Sequence, residues 1–144
     1  MNRPLISALL ALAMLAPEGA VLAQDRGAVE RQRLLDLAFT IGESHALRQV
    51  CEGVGDQYWR SRMMRLTQVE KADQAFDAQL RDKFNTGFAA RQGQFVECDD
   101  ASRQAEHTAA RKGQALSTRL AQSMRNASAS APAPDSVADD GAAR

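Results

Sequence analysis

Four residues of this chain stand out as candidates for catalysis or cross-linking. His45, Arg48 and Cys51 follow one another at three-residue intervals, and Cys98 is the second of only two cysteines. A histidine beside a cysteine can act as the base of a nucleophilic pair, and a histidine can also bind a metal or respond to pH. A nucleophilic pair requires a free thiolate. The state of the two cysteines therefore decides which chemistry is open to the chain.

The N-terminal segment has the three parts of a secretory signal peptide, over residues 1–23. Arg3 supplies the positive start, residues 5–16 form an apolar run, and Ala23 is a small residue that suits cleavage before Gln24. The run is shorter than the roughly 20 residues of a membrane-spanning helix, and an uncleaved anchor is the alternative. We therefore expect a periplasmic protein, cleaved between Ala23 and Gln24, with no stable membrane span.

Export predicts a disulfide between Cys51 and Cys98, because exported proteins meet an oxidising environment. Two free, buried thiols are the alternative if the chain is not exported. The disulfide would remove the thiolate that a pair of Cys51 with His45 needs. We therefore assign no catalytic residue, and we interpret His45 as a partly buried imidazole, with a pH-responsive or ligand-contacting role as the alternative.

Composition argues against several classes of function. The chain has 18 basic and 18 acidic residues, and the leader removes one of each, so the exported part has no net charge to attract nucleic acid. His45 and His107 are far apart, and no Cys-x2-Cys or His-x3-His spacing occurs, so we expect no metal and no other cofactor. The carboxylates are scattered, and no acid–base pair stands out. We expect a protein that is not an enzyme.

Residues 24–125 are predicted to form one helical domain, since no proline lies between Gly27 and Ala131 and no alternating apolar pattern occurs. Apolar periodicity predicts helices over about residues 28–50, 57–71, 74–97 and 100–124. The last three helices each open just after an aspartate, namely Asp56, Asp73, and Asp99 or Asp100. The predicted fold class is all-α, a small three- to four-helix bundle braced by one disulfide.

The first predicted helix is apolar over more than half of its circumference, with Asp36, Thr40 and Glu43 on the solvent side. A helix with so wide an apolar arc is expected to lie between two neighbours. Helices joined by short loops tend to pack antiparallel, which brings Cys51 and Cys98 to the same end of the bundle. A disulfide that closes the loop between Cys51 and Cys98 would stabilise the fold by roughly 4 kcal/mol.

Residues 126–144 are predicted to form a disordered C-terminal tail. They are mostly alanine, serine, proline and aspartate, and Val137 is the only aliphatic residue larger than alanine. Such a segment cannot bury enough apolar area to offset the entropy that it would lose on ordering.

The second predicted helix contains three arginines, Arg60, Arg62 and Arg65, and Arg62 flanks the apolar stripe that includes Trp59. They form either a patch for an anionic polymer or membrane surface, or a solvated face with partners inside the molecule. We favour the solvated face.

Asn85 and Gly87 lie in the middle of the third predicted helix, where both residue types weaken helix propensity. Gly87 falls on the inward face, and the packing interpretation is that it admits a bulky neighbour such as Trp59. The alternative is a kink that shapes a ligand groove.

Several strings, in this order and spacing, resemble an exported, uncharacterised family of small helical proteins from Gram-negative bacteria, classed as conserved hypotheticals. They are residues 42–51 (GESHALRQVC), residues 58–60 (YWR) with Met63, residues 84–88 (FNTGF), and Cys98. The resemblance covers about residues 34–120. It implies a periplasmic location and the cysteine pair, and it implies no known activity. The family often has an aromatic residue where this chain has Ala46.

Three functional hypotheses follow. The first is a non-enzymatic accessory protein that binds another envelope protein through a helical face. The second is an acid- or stress-type periplasmic chaperone that exposes its aromatic residues when protonated. The third is an enzyme or small-ligand binder that uses His45 and Arg48, and it predicts a concave polar pocket around those two side chains.

Overall fold

The computed structural model describes residues 26–130, and within that range the chain forms four α-helices and no strand. They are α1 (Ala28–Glu52), α2 (Tyr58–Glu70), α3 (Gln74–Arg91) and α4 (Asp100–Ser130). The predicted all-α class is therefore confirmed. The predicted leader, residues 1–23, lies outside the described residues, as do residues 131–144 of the predicted tail. None of the four helices has both the length and the apolar character needed to cross a membrane.

α1 is the central helix, because α2, α3 and α4 all pack against it. This arrangement confirms the expectation that its wide apolar arc lies between neighbours. The shared core contains apolar side chains from all four helices: Leu34, Leu37, Ala38, Ile41, Met63, Phe76, Leu80, Phe84 and Leu120. In the described chain, no Cα atom of α4 lies within 8 Å of a Cα atom of α2 or of α3. The backbone of α4 therefore packs against that of α1 and stays apart from those of α2 and α3.

Thr40 and Glu43 are buried, and the prediction that they face solvent was wrong. Thr40 Oγ1 donates a hydrogen bond to the carbonyl oxygen of Asp36 at 2.8 Å. Glu43 is 6 % exposed, and its carboxylate accepts a hydrogen bond from Arg91 Nε at 2.9 Å and lies 3.6 Å from Lys112 Nζ. A buried charge is tolerated when it is paired in this way. Both cations come from other helices, so the pattern within α1 does not reveal them.

Gly42 and Gly87 form the crossing point of α1 and α3. A Cβ atom on Gly42 would lie under 3.0 Å from the carbonyl of Phe84, and one on Gly87 would lie under 3.0 Å from the carbonyl of Phe39. Each glycine therefore admits the backbone of the opposite helix. The expectation that Gly87 makes room for Trp59 was wrong, because its neighbour is the main chain of α1.

α3 ends at Arg91, whereas the sequence predicts a helix to residue 97. Gly93 follows with φ 77°, in the left-handed region that ends helices and that glycine adopts without strain. The chain then turns back toward α1 through a link that contains Cys98. Because α3 ends early, Cys98 lies in this link rather than on a helical face.

α4 continues to Ser130, six residues past its predicted end, so the first five residues of the predicted tail are helical. Extending an established helix by one residue costs little compared with starting one, and alanines favour the extension. Pro132 is the first proline after Gly27, so nothing in residues 126–130 forces α4 to stop.

The predicted disulfide is confirmed. Cys51 and Cys98 are bonded, with 4.8 Å between their Cα atoms, and they join the end of α1 to the link between α3 and α4. The expectation that both sulfurs arrive at the same end of the bundle is also confirmed.

The predicted aspartate caps hold for α3 and α4. Asp73 accepts a hydrogen bond from the backbone N–H of Phe76 at 2.8 Å, and Asp99 accepts one from that of Ser102 at 2.7 Å. Asp99, not Asp100, is therefore the residue that caps α4. At α2 the residue in the capping position is Gln57, which makes no side-chain cap. The predicted cap residue Asp56 lies one position earlier and accepts a hydrogen bond from the backbone N–H of Tyr58 at 3.1 Å.

Candidate functional site

His45 is buried between α1 and α3. It is 4 % exposed, and its ring centroid lies 5.7 Å from that of Phe84 and 5.4 Å from that of Phe88. Its Nε2 atom lies 3.4 Å from Gln49 Nε2, and its Nδ1 atom has no hydrogen-bond partner in residues 26–130. The interpretation of His45 as a buried imidazole agrees with this position.

The surroundings of His45 favour the neutral ring. Burial lowers the pKa of the imidazole below its ordinary value, the positive charge of Arg60 lowers it further, and Asp56 opposes both. A lowered pKa leaves His45 uncharged at pH 7.

Arg48 lies one turn after His45 and ties three parts of the structure together. Its Nε atom is 3.2 Å from Asp56 Oδ1, and a terminal guanidinium nitrogen is 3.6 Å from Glu106 Oε1. The guanidinium carbon also lies 4.7 Å from the centre of the Tyr58 ring. Burial opposes the charged form, but Asp56 and Glu106 outweigh it and raise the pKa of Arg48. Its contacts connect α1 to the start of α2 and to α4.

His45 and Arg48 do not create the polar pocket that the enzyme hypothesis predicts. His45 lies in aromatic packing, and Arg48 is held by two carboxylates. Neither side chain lines the three cavities of about 820, 500 and 430 Å³ in the described chain. Residues 26–130 also contain no cluster of three metal-ligating side chains.

The cavity of about 820 Å³ is a groove between α2 and α4, here named the α2–α4 groove. Its floor is α1, which contributes Leu37, Thr40, Ile41 and Ser44. Its first wall comes from α2, with Tyr58, Trp59, Arg62, Arg65, Leu66 and Val69. Its second wall comes from α4, with His107, Ala110, Arg111, Gly113, Gln114 and Ser117. The groove exists because Ala110 and Gly113 are too small to fill the space between α4 and α2.

The groove is basic at its rims and apolar between them. Arg62 and Arg65 lie on the α2 rim and Arg111 on the α4 rim, and no carboxylate lines the groove. None of these three arginines forms an ion pair in residues 26–130, whereas Arg48 and Arg91 do. Since the whole chain has no net charge, this cluster is a local excess of positive charge.

Aromatic rings hold one of these cations in place. The guanidinium carbon of Arg62 lies 3.6 Å from the centre of the Tyr58 ring and 5.4 Å from that of Trp59, within the range of cation–π attraction. Tyr58 and Trp59 meet edge to face, with 5.1 Å between their ring centroids. Trp59 Nε1 is buried and has no acceptor in the described residues. Arg62 therefore has partners inside the molecule, as expected for the arginines of α2. These partners are aromatic rings and not carboxylates.

The other residues singled out from the sequence are spread over the molecule. Arg60 and Asn85 line the cavity of about 500 Å³ between α2 and α3, together with Met63 and Met64. Gly87 lies at the crossing of α1 and α3, and the cysteine pair lies at one end of the bundle. Of the residues singled out from the sequence as candidates, Trp59, Arg62 and Arg65 line the α2–α4 groove.

The α4 wall of the groove was missed from the sequence. His107 is exposed, and Arg111 and Gln114 were not singled out. These three residues recur at spacings of four and three, which puts them on one face of a helix. This shared helix face is the sequence signal that could have indicated the α4 wall, but the sequence does not show which helix lies opposite it.

The fold and the groove define this chain as a small, disulfide-braced helical protein with a basic amphipathic groove. The profile of the family described as "Protein of unknown function (DUF2385)" matches residues 30–124, and the chain belongs to that family. The predicted membership of an uncharacterised family is thereby confirmed. No curated protein and no solved structure matches the chain.

Proposed function

We propose that this chain is an exported, non-enzymatic interaction protein that binds another envelope protein in the α2–α4 groove. The observation that carries the proposal is the groove itself: two helices with no Cα atoms within 8 Å of each other, a floor that includes Leu37 and Ile41, and three rim arginines with no carboxylate among the described lining residues. Polar rims around an apolar centre are typical of protein-binding surfaces, in which tryptophan, tyrosine and arginine are enriched.

Export is supported by the bond between Cys51 and Cys98, since disulfides persist in oxidising compartments. The signal-peptide pattern of residues 1–23 and the resemblance to exported proteins of Gram-negative bacteria point the same way. On this proposal the compartment is the periplasm.

A non-enzymatic role is supported by the positions of the groups that could catalyse a reaction. His45 is packed between two phenylalanine rings, and the carboxylates of Asp56 and Glu106 are neutralised by Arg48. No nucleophile stands beside a base and an orienting group in the described residues, as nucleophilic catalysis requires. Binding therefore accounts for the geometry better than catalysis.

Site-specific photo-cross-linking in cells that produce the full chain tests the proposal. A photoreactive amino acid at Ser117, on the α4 wall, should give a discrete adduct that weakens when Arg111→Glu is introduced. The same amino acid at Ala78, an exposed position on α3, serves as the control and should give none. No adduct from position 117, or equal adducts from both positions, would contradict the proposal.

An acid-responsive chaperone is the second candidate, and His45 is the observation that favours it. Protonation would place a charge between Phe84 and Phe88 and loosen the contact of α1 with α3. We expect apolar-dye binding to rise and client aggregation to fall as the pH is lowered from about 7 toward 3. Unchanged dye binding over that range would rule this candidate out.

A further inference from the structure

We infer that the occupant of the α2–α4 groove is an acidic amphipathic helix of about three turns that belongs to a partner protein. The inference rests on the proposed function and specifies the chemistry of the partner. Three features of the groove support it: the hydrogen-bonding state of its walls, the length of those walls, and the charge of its rims.

Most of the groove offers no backbone partner to a bound peptide. Floor and walls are helical, so away from the first and last turns of α2 their backbone N–H and C=O groups bond within their own helices. The floor hydroxyls already donate to the backbone of α1, from Thr40 Oγ1 to Asp36 at 2.8 Å and from Ser44 Oγ to Thr40 at 2.9 Å. An extended peptide would give up its water and find no sheet edge to pair with. A helix satisfies its own backbone, so it is the peptide conformation that fits.

The length of the groove sets the length of the occupant. The α2 wall runs from Tyr58 to Val69, a helical stretch that rises about 18 Å. A helix lying along it makes about three turns. Between the rims it would meet Leu37, Ile41 and Leu66, so its inward face must be apolar at the i, i+3, i+4 and i+7 positions that share one side of a helix.

The rims specify acidic side chains on both flanks of that apolar face. Arg62 and Arg65 on one side and Arg111 on the other have no carboxylate partner in residues 26–130. Glutamate or aspartate on the occupant would supply the partners, and arginine binds carboxylates through two parallel hydrogen bonds. A flat anionic membrane would reach these rims but not the apolar floor behind them. Charge and shape together therefore favour an acidic helix over a lipid surface.

Trp59 provides a direct test, because it is the only tryptophan of the chain and it lines the groove. The disulfide-bonded protein is titrated with a synthetic 14-residue peptide that has a leucine stripe flanked by glutamates. A second peptide has lysine in place of every glutamate, and a third has the first peptide's composition in scrambled order. We expect a saturating change in Trp59 fluorescence and a gain of helical circular dichroism with the first peptide. At least tenfold weaker binding is expected for the other two.

Matched substitutions on α4 locate the binding. Arg111→Glu should weaken the acidic peptide at least tenfold, whereas Arg119→Glu, an exposed arginine on the same helix outside the groove, should change its affinity less than twofold. Raising the salt concentration should weaken binding to the unchanged protein, because the rim contacts are ionic.

Several results would overturn the inference. Equal affinity for the glutamate and lysine peptides, equal effects of Arg111→Glu and Arg119→Glu, or a fluorescence change without helix formation would each do so. Absence of peptide binding together with saturable binding to phosphatidylglycerol vesicles would assign the groove to a membrane surface. Self-association that Arg111→Glu abolishes, again without peptide binding, would assign it to a second copy of the chain. If cross-linking from position 117 persists while the peptide fails to bind, the proposed function stands and only this partner chemistry falls.

Discussion

The contact between α1 and α3 and the α2–α4 groove lie on opposite sides of the same central helix. Gly42 meets the backbone of α3, while Thr40 and Ser44, each two residues away and therefore about 200° around α1, form the floor of the groove. On the first side the helices touch at main-chain distance, beside a neutral histidine held between aromatic rings. On the second side two helices stay apart, and three arginines have no acidic partner among residues 26–130.

This difference separates the parts of the molecule that stabilise it from the part that is free to bind. Close packing and a covalent cross-link leave no room for a ligand between α1 and α3. The α2–α4 groove is expected to contribute less to folding, because its cations are exposed and the backbones of its two walls stay apart. Substitutions on the two sides should therefore have different consequences, and the following predictions are ordered by their size.

The largest effect is expected from removing the disulfide. Replacing both Cys51 and Cys98 with serine should lower the free energy of unfolding by about 4 kcal/mol, because the unfolded chain regains the freedom of the closed loop. Urea denaturation followed by circular dichroism measures it. Reduced, unsubstituted protein should show the same loss, and reductant should leave the double variant unchanged. A loss below about 1 kcal/mol would mean that packing alone holds α1 to α3.

The next effect concerns the helix crossing. Gly42→Ala should lower the free energy of unfolding by about 3 kcal/mol, because the added Cβ meets the rigid carbonyl of Phe84. Gly113→Ala is the matched control, since its Cβ would lie 3.5 Å from Thr40 Cγ2, an ordinary contact. Alanine there should stabilise the protein by about 0.5 kcal/mol through helix propensity. Similar losses for both variants would contradict a special role for the crossing.

A smaller, pH-dependent effect is expected at His45. Its pKa is lowered in the folded state, mainly by burial and further by Arg60, with Asp56 opposing. The unfolded chain therefore binds more protons, and stability falls as the pH drops below about 6.5, the ordinary histidine value, toward the folded pKa. Urea midpoints between pH 8 and 5 measure the dependence, which should flatten in His45→Gln and persist in His107→Gln. The same slope in both variants would assign the effect to other groups.

The smallest effect is expected at the rim of the groove. Arg111→Glu should change the free energy of unfolding by no more than about 0.5 kcal/mol, because the side chain lies on the surface and has no ion pair within the described part of the chain. Thermal denaturation alongside Arg119→Glu checks this expectation. A loss above about 1 kcal/mol from Arg111→Glu alone would show that the groove is part of the stabilising structure, and the contrast between the two sides would fail.

Much of the fold was accessible from the sequence, whereas most of the groove was not. The helix starts at Asp73 and Asp99 follow from interactions within three residues, and the disulfide follows from two cysteines in a chain that is predicted to be exported. The end of α3 was misjudged, although Gly93 was a visible stop signal. Trp59 was identified as a candidate, but the opposite wall at Arg111 was missed because helical phase alone does not pair one helix face with another.

The sequence by itself determined the helical class, the caps of α3 and α4, and the cysteine bond, because these depend on near neighbours or on the chemistry of two cysteine sulfurs. Only the tertiary structure decided that Glu43 is buried, that Gly87 meets the backbone at Phe39, and that α2 and α4 leave a basic groove between them. Each of these depends on residues from different helices, and their meeting is set by how side chains of particular sizes pack around α1. Whether a small residue in one helix gives a close contact or a groove depends on which helix faces it.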